Sequence, residues 1–374
     1  MSVQATGTSK NLGHKSHSIT KSTAPLWALM LATATVSQAS AQEPSKPNAL
    51  TMNVFSGLFE SCIKKTLVPA FESSTGITLN LVTTQPPLAK LQAEGDSPEI
   101  DVFVAGQSDM KAAHDYGILS SIDAAALTNL PDIYKPLANI GVDGNDRYSV
   151  VFTYNPTGLV YNGDLWKAPP TSWFDLASEG TPGIVNVRMP DSQNTVAWLA
   201  IMAKAANGDW PTKLTDYDKT LELVRDKLKP KLGTVLPSSG AMQSSFVDDP
   251  RSSLTVGPQN VAIAMAKRYK LNIKWAAPKE GAYLITTEAG VTKTKNSYWA
   301  HKLIDAMLDE DFQKSFAECG YYSPVNSKTK VDASVETQVV QGEENVAKIM
   351  QLPWEKITPL AADLGQAFLA SVEN

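Results

Sequence analysis

Cysteine, histidine and charge are all scarce in this chain of 374 residues. The two cysteines, Cys62 and Cys319, can build neither a disulfide scaffold nor a four-thiolate zinc site. Of the four histidines only His114 and His301 lie beyond the first forty residues, without metal-ligand spacing between them and with no cysteine nearby. That pattern argues against thiol catalysis and zinc chemistry. Charged residues make up 19%, below the roughly 25% usual in soluble domains, so disorder is disfavoured. With 33 Lys and Arg against 38 Asp and Glu, the basic coat that binds a nucleic-acid backbone is missing. Long apolar runs are absent too. The longest, Ala24 to Val36, falls short of the roughly 20 residues that span a bilayer.

What is present begins with an export pattern. Lys10, Lys15 and Lys21 precede that apolar run, and Ala39-Ser40-Ala41 follows it as a small-residue cleavage site, so residues 1–41 read as a secretory signal peptide. No cysteine follows the run closely enough to carry a lipid anchor. The expected location is a periplasm, and residues 42–374 carry 30 basic against 38 acidic groups. In an oxidising compartment Cys62 and Cys319 are candidates for one disulfide, with two buried thiols or a catalytic thiol as alternatives.

Hydrophobic periodicity then alternates between strand and helix. Strands are expected at 50–55, 77–84 and 100–104, with helices at 60–73 (Pro69 a kink), 88–94 and 108–116. A strand-like stretch at Tyr148–Asn162 is interrupted by the turn signal Asn155-Pro156-Thr157-Gly158. The alternation resumes with strands at 184–188, 232–236, 253–256 and 272–276 and helices at 194–206, 216–229 and 260–269. A second long strand covers 282–292, and helices at 296–308, 309–317, 334–350 and 358–371 follow. This is an α/β pattern of mainly parallel sheets flanked by helices. Two such lobes joined by extended crossings suggest a hinged clamp around a small molecule.

The residues so assembled resemble the periplasmic substrate-binding proteins of ABC importers, in the branch of spermidine/putrescine, 2-aminoethylphosphonate and ferric-ion binders. The resemblance rests on Pro69-Ala70-Phe71-Glu72 with Thr75-Gly76-Ile77, Asp101-Val102-Phe103-Val104 with Tyr116-Gly117-Ile118-Leu119, Gly158-Leu159-Val160-Tyr161-Asn162, Pro170-Thr171-Ser172-Trp173-Phe174-Asp175-Leu176, and Gly320-Tyr321-Tyr322-Ser323-Pro324-Val325-Asn326. Trp275 to Gly281 and Pro353-Trp354-Glu355 extend it over nearly all of residues 50–360. It implies a two-lobed type II fold with crossing-strand hinges near Phe152–Thr157 and Ile285–Glu288 and after Asn326. The first lobe would hold residues 50–152 and 287–329, the second 153–286 and 330–374. Cys62 and Cys319 would then share a lobe, which favours the disulfide.

The resemblance also assigns pocket positions. Polyamine binders hold amines with carboxylates and methylenes with aromatic rings. Their first trio becomes Phe55, Ser56 and Leu58 here, and their second group becomes Gly106, Gln107 and Ser108, where Ser108 also reads as a helix N-cap. Tyr154 lies at the first crossing. Asp191, Ser192, Asn194 and Thr195 stand at a helix start that favours a ligand carboxylate or phosphonate, with Asn194 replacing a Glu. Ile285 and Thr287 replace an aromatic residue and an Asp, Pro258 falls near a tryptophan position, and Glu355 is a possible amine partner. Tyr321-Tyr322 lies outside the iron-binding positions of the ferric-ion binders.

The expected function is therefore a monomeric receptor, without cofactor or metal, that passes an amine-bearing or zwitterionic solute to an ABC permease. A secreted hydrolase built on Ser238-Ser239-Gly240 or Asp248-Asp249 and a ligand-presenting sensor subunit are the alternatives.

Overall fold

A computed structural model of the chain describes residues 43–83, 87–190, 193–237 and 239–373. The expected signal peptide, Asp191, Ser192 and Ser238 lie outside the described residues. Nine strands carry the architecture: β1 Ala49–Asn53, β2 Thr78–Val82, β3 Val102–Ala105, β4 Val150–Asn162, β5 Ile184–Arg188, β6 Leu232–Leu236, β7 Ser252–Pro258, β8 Ile273–Ala276 and β9 Tyr283–Thr292. Their order is β2-β1-β3-β9-β4-β7-β5-β6, with β8 added on β4. No described helix is long and apolar enough to cross a membrane.

This order contains one arrangement twice. In the first half β1 pairs in parallel with β2 and β3, and the antiparallel β9 closes the group. In the second half β5 pairs in parallel with β6 and β7, and the antiparallel β4 closes it. The closing strands pair with each other from Tyr283 opposite Thr157 to Ala289 opposite Val150, so each half receives its last strand from the other. In each half the central strand is the first of the three in chain order. A crevice therefore opens at the carboxyl ends between β1 and β3, and another between β5 and β7.

Strand β4 runs unbroken through the expected turn at 155–158 because neighbours pair with it on both sides. Pro156 has no N–H for the ladder, and opposite it Leu284 gives its own N–H to Met350 O at 2.8 Å. Gly158 is required by the approach of β8, since a Cβ there would stand 2.6 Å from Ala276 O. The expected helix at 334–350 is instead two short pieces, Ala333–Glu336 and Glu343–Ala347, separated by Gly342 at φ 85°.

Seven helices matter below: α1 Leu58–Thr75, α2 Gln107–Asp115, α3 Gln193–Asn207, α4 Ser239–Asp248, α5 Gln259–Tyr269, α6 Ser297–Leu308 and α7 Glu310–Gly320. Helix α1 continues through Pro69 and stops at Gly76, which is left-handed at φ 69° with its N–H on Glu72 O. The core of the first half gathers Phe59, Phe71, Phe152, Leu303 and Phe316. That of the second gathers Trp173, Trp198, Tyr217, Tyr283 and Phe368, while Met242, Phe246 and Met265 cover its other face. Cys62 of α1 and Cys319 of α7 are disulfide-bonded, with their Cα atoms 5.7 Å apart.

Candidate functional site

The first crevice is held open by Asn53. Its side chain, 2% exposed, takes the Val104 N–H and gives its own N–H to Val104 O, both at 2.7 Å. An amide thus stands where the β1–β3 ladder would continue, and the strand ends diverge. From one end emerge Phe55, half-buried with its ring 5.2 Å from Phe59, and the exposed Ser56. From the other emerge Gly106, Gln107 and Ser108. Gly106 is the cap of α2, extended at φ −76° and ψ 167°, without a side-chain hydrogen bond. Ser108 is therefore in the first turn and is not the cap.

In the second half β5 ends at Arg188 and α3 begins at Gln193. Thr195, fully buried, donates its hydroxyl to Arg188 O at 2.7 Å, so it secures the turn and offers nothing to a solute. Asn194 Oδ1 accepts the Tyr283 hydroxyl at 3.0 Å. Burial raises the Tyr283 phenol well above its ordinary range, and the charge of Arg188 opposes that rise.

The two crevices meet across the β4–β9 pair. Directly opposed residues share a face of an antiparallel pair, so Thr157 and Tyr283, Asn155 and Ile285, and Thr153 and Thr287 form three rungs on one face. Glu288 pairs with Ala105, which sets Gly106 beside Thr287. A continuous floor thus runs from the start of α3, through Tyr283, Asn155 and Thr287, to the start of α2. Asn155 is 8% exposed, and the Thr157 hydroxyl beside it is fully buried without a partner among the described residues. An unpaired buried hydroxyl costs about 1–3 kcal/mol, so the floor calls for a polar guest. Two helix starts flank it, and the helix dipole favours negative charge there.

Tyr154 differs from the expectation. Alternation turns it to the opposite face, where it is fully buried and donates to Val340 O at 2.7 Å, bracing that segment. Glu355 is exposed in the first turn of Trp354–Ile357, whose Trp354 is buried in the second core. Tyr321 and Tyr322 point to different surroundings: Lys267 donates to the Tyr321 hydroxyl at 2.9 Å, and Tyr322 stacks on Phe316 at 4.5 Å. Asn53, Asn155, Arg188 and Tyr283 were not singled out from the sequence. Asn155 was hidden inside an apparent turn, and the strand-ending Arg188 beside a helix start was the one signal available.

Comparison with known proteins follows the same outline. Residues 66–340 match the family model described as bacterial extracellular solute-binding protein. The spermidine/putrescine-binding periplasmic protein of Escherichia coli (strain K12) is 26% identical over 272 residues, covering 69% of this chain and 73% of that protein. Among solved structures, the spermidine/putrescine ABC transporter substrate-binding protein of Streptococcus pneumoniae superimposes with a TM-score of 0.70 at 17% identity, covering 87% of this chain and 100% of that one. A periplasmic thiamin binding protein does so at 0.68 and 20% identity, covering 88% and 99%. The twice-built α/β sheet, its crossing strands and the match over residues 66–340 have one meaning: this chain belongs to the bacterial extracellular solute-binding protein family.

Proposed function

We propose that the chain is the receptor of an ABC importer, closing two lobes around a small zwitterionic solute, amino acid-like or aminophosphonate-like, and presenting it to a membrane permease. In this reading the lobes comprise residues 50–152 with 287–329 and 153–286 with 330–374, and residues 1–41 direct export. The observation that carries it is the Asn155 amide on a floor flanked by two helix starts. An anionic group of the solute lies toward Arg188 and Asn194, where the start of α3 and a guanidinium favour it. The Asn155 carbonyl takes a donor from the solute, and Phe55 walls its apolar part. Among Phe55, Ser56, Gly106, Gln107, Ser108, Asn155, Asn194, Ile285 and Thr287 there is no carboxylate, which disfavours a ligand that is only cationic. Glu355 and Asp191 remain candidate partners for an amine, and Ser192 for the anionic group.

No chemistry on the solute is part of the proposal. His301 accepts the Asp123 N–H on Nε2 and donates from Nδ1 to Ser297 O, and Asp249 is paired with Arg251 at 2.8 Å, so neither serves as a free base. A thermal-shift panel tests the reading. Amino acids or 2-aminoethylphosphonate should raise the melting temperature more than putrescine; stabilisation by putrescine alone overturns the zwitterion, and silence across the panel overturns the receptor.

A further inference from the structure

The two halves also touch outside the floor, at the end of α7. Gly320 to Tyr322 belong to the first half: Tyr322 stacks on Phe316 at 4.5 Å and meets Phe59 edge-on at 5.6 Å. Helix α5 belongs to the second, where it buries Ala262 and Met265. Between them the Lys267 ammonium lies 4.4 Å over the Tyr321 ring while it donates to the hydroxyl at 2.9 Å. Asn260, 2% exposed, gives an N–H to Gly320 O at 3.4 Å and reaches the Tyr322 phenol, leaving its Oδ1 without a partner among the described residues.

The backbone at this point is specialised. Tyr321 is left-handed at φ 58° and ψ 28°, a conformation that a β-carbon disfavours. The residue before it must be glycine, because a Cβ on Gly320 would stand 2.5 Å from the Tyr322 ring and 3.2 Å from Cys62 Sγ. The turn is therefore moulded around the Cys62–Cys319 bond, which joins α7 to α1 one residue earlier.

We infer that Gly320–Tyr322 and the Asn260–Lys267 face of α5 form a clasp that biases the clamp toward closure independently of any solute, with the disulfide fixing the first half's side of it. This rests on the reading of the chain as a clamp. The clasp is made to open as well as to close. The cation over the ring and two hydrogen bonds favour contact, whereas the unpaired Asn260 carbonyl regains water when the halves separate.

Small-angle scattering of the purified protein without added solute tests it, alongside thermal unfolding. Tyr321→Gly removes the ring and suits the left-handed backbone; Lys267→Met keeps the stem and removes the charge. Both variants should expand, with the closed-to-open ratio falling about tenfold, equivalent to roughly 1.4 kcal/mol. Tyr321→Gly should keep or raise the melting temperature while it opens. Unchanged dimensions in both variants overturn the clasp, and so does an expansion of Tyr321→Gly that comes only with a lowered melting temperature. Wild-type protein titrated with putrescine, glycine and 2-aminoethylphosphonate separates the two claims. Silence there with opened variants removes the solute reading and keeps the clasp, and a solute response with variants that stay compact does the reverse.

Discussion

Asn155 is the residue on which the solute reading turns. Its amide lies on the β4–β9 floor, on a residue 8% exposed, between the two helix starts. Asn155→Leu should weaken solute binding tenfold or more, as read by titration calorimetry. Glu288, on the partner strand β9, makes a different prediction. Its carboxyl is fully buried between the hydroxyls of Ser149 and Thr286, and desolvation pushes it up to about 7 against the pull of those two hydrogen bonds. The folded protein thus keeps a proton that the unfolded chain releases near 4.5, so stability is full below about pH 4.5 and falls as pH rises through about 7. The loss is about 3 kcal/mol, and Glu288→Gln should flatten that slope in unfolding measured from pH 4 to 8.

The elements differ in how openly the sequence declares them. Strands β1, β3 and β5 and helix α1 are evident from periodicity, since each has one neighbourhood and one pattern. Strand β4 is not, because Asn155, Pro156 and Gly158 carry turn chemistry that is overridden by pairing on both sides. Ser108 gave a cap signal of the right chemistry two residues late, because the cap is Gly106 and uses no side chain. The site was legible at its two strand ends and illegible at its floor, which exists only once β4 and β9 are paired. At the end of α7 the constraint is steric: Gly320→Ala forces a Cβ against Tyr322 and should cost about 1–3 kcal/mol, measured by denaturant unfolding. Removing both Cys62 and Cys319, as alanines, should cost about 2–5 kcal/mol in the same assay.

For the whole molecule, the repeated order of three parallel strands and a borrowed antiparallel one explains why a solute site forms at all. Each half brings one crevice, and exchange of the closing strands turns the crevices toward a shared floor. No sequence repeat announces this, because the two halves share topology while their side chains differ. In the proposed clamp β4 and β9 are the covalent crossings between the lobes, so a saturating solute should compact the protein in small-angle scattering. The central claim is that the floor receives one small zwitterion, and titration calorimetry of the wild-type protein against amino acids, 2-aminoethylphosphonate and putrescine tests it most directly. One-to-one binding of an amino acid or of the aminophosphonate, tighter than putrescine and lost in Asn155→Leu, is the predicted result. Putrescine binding alone, indifferent to that substitution, would contradict it.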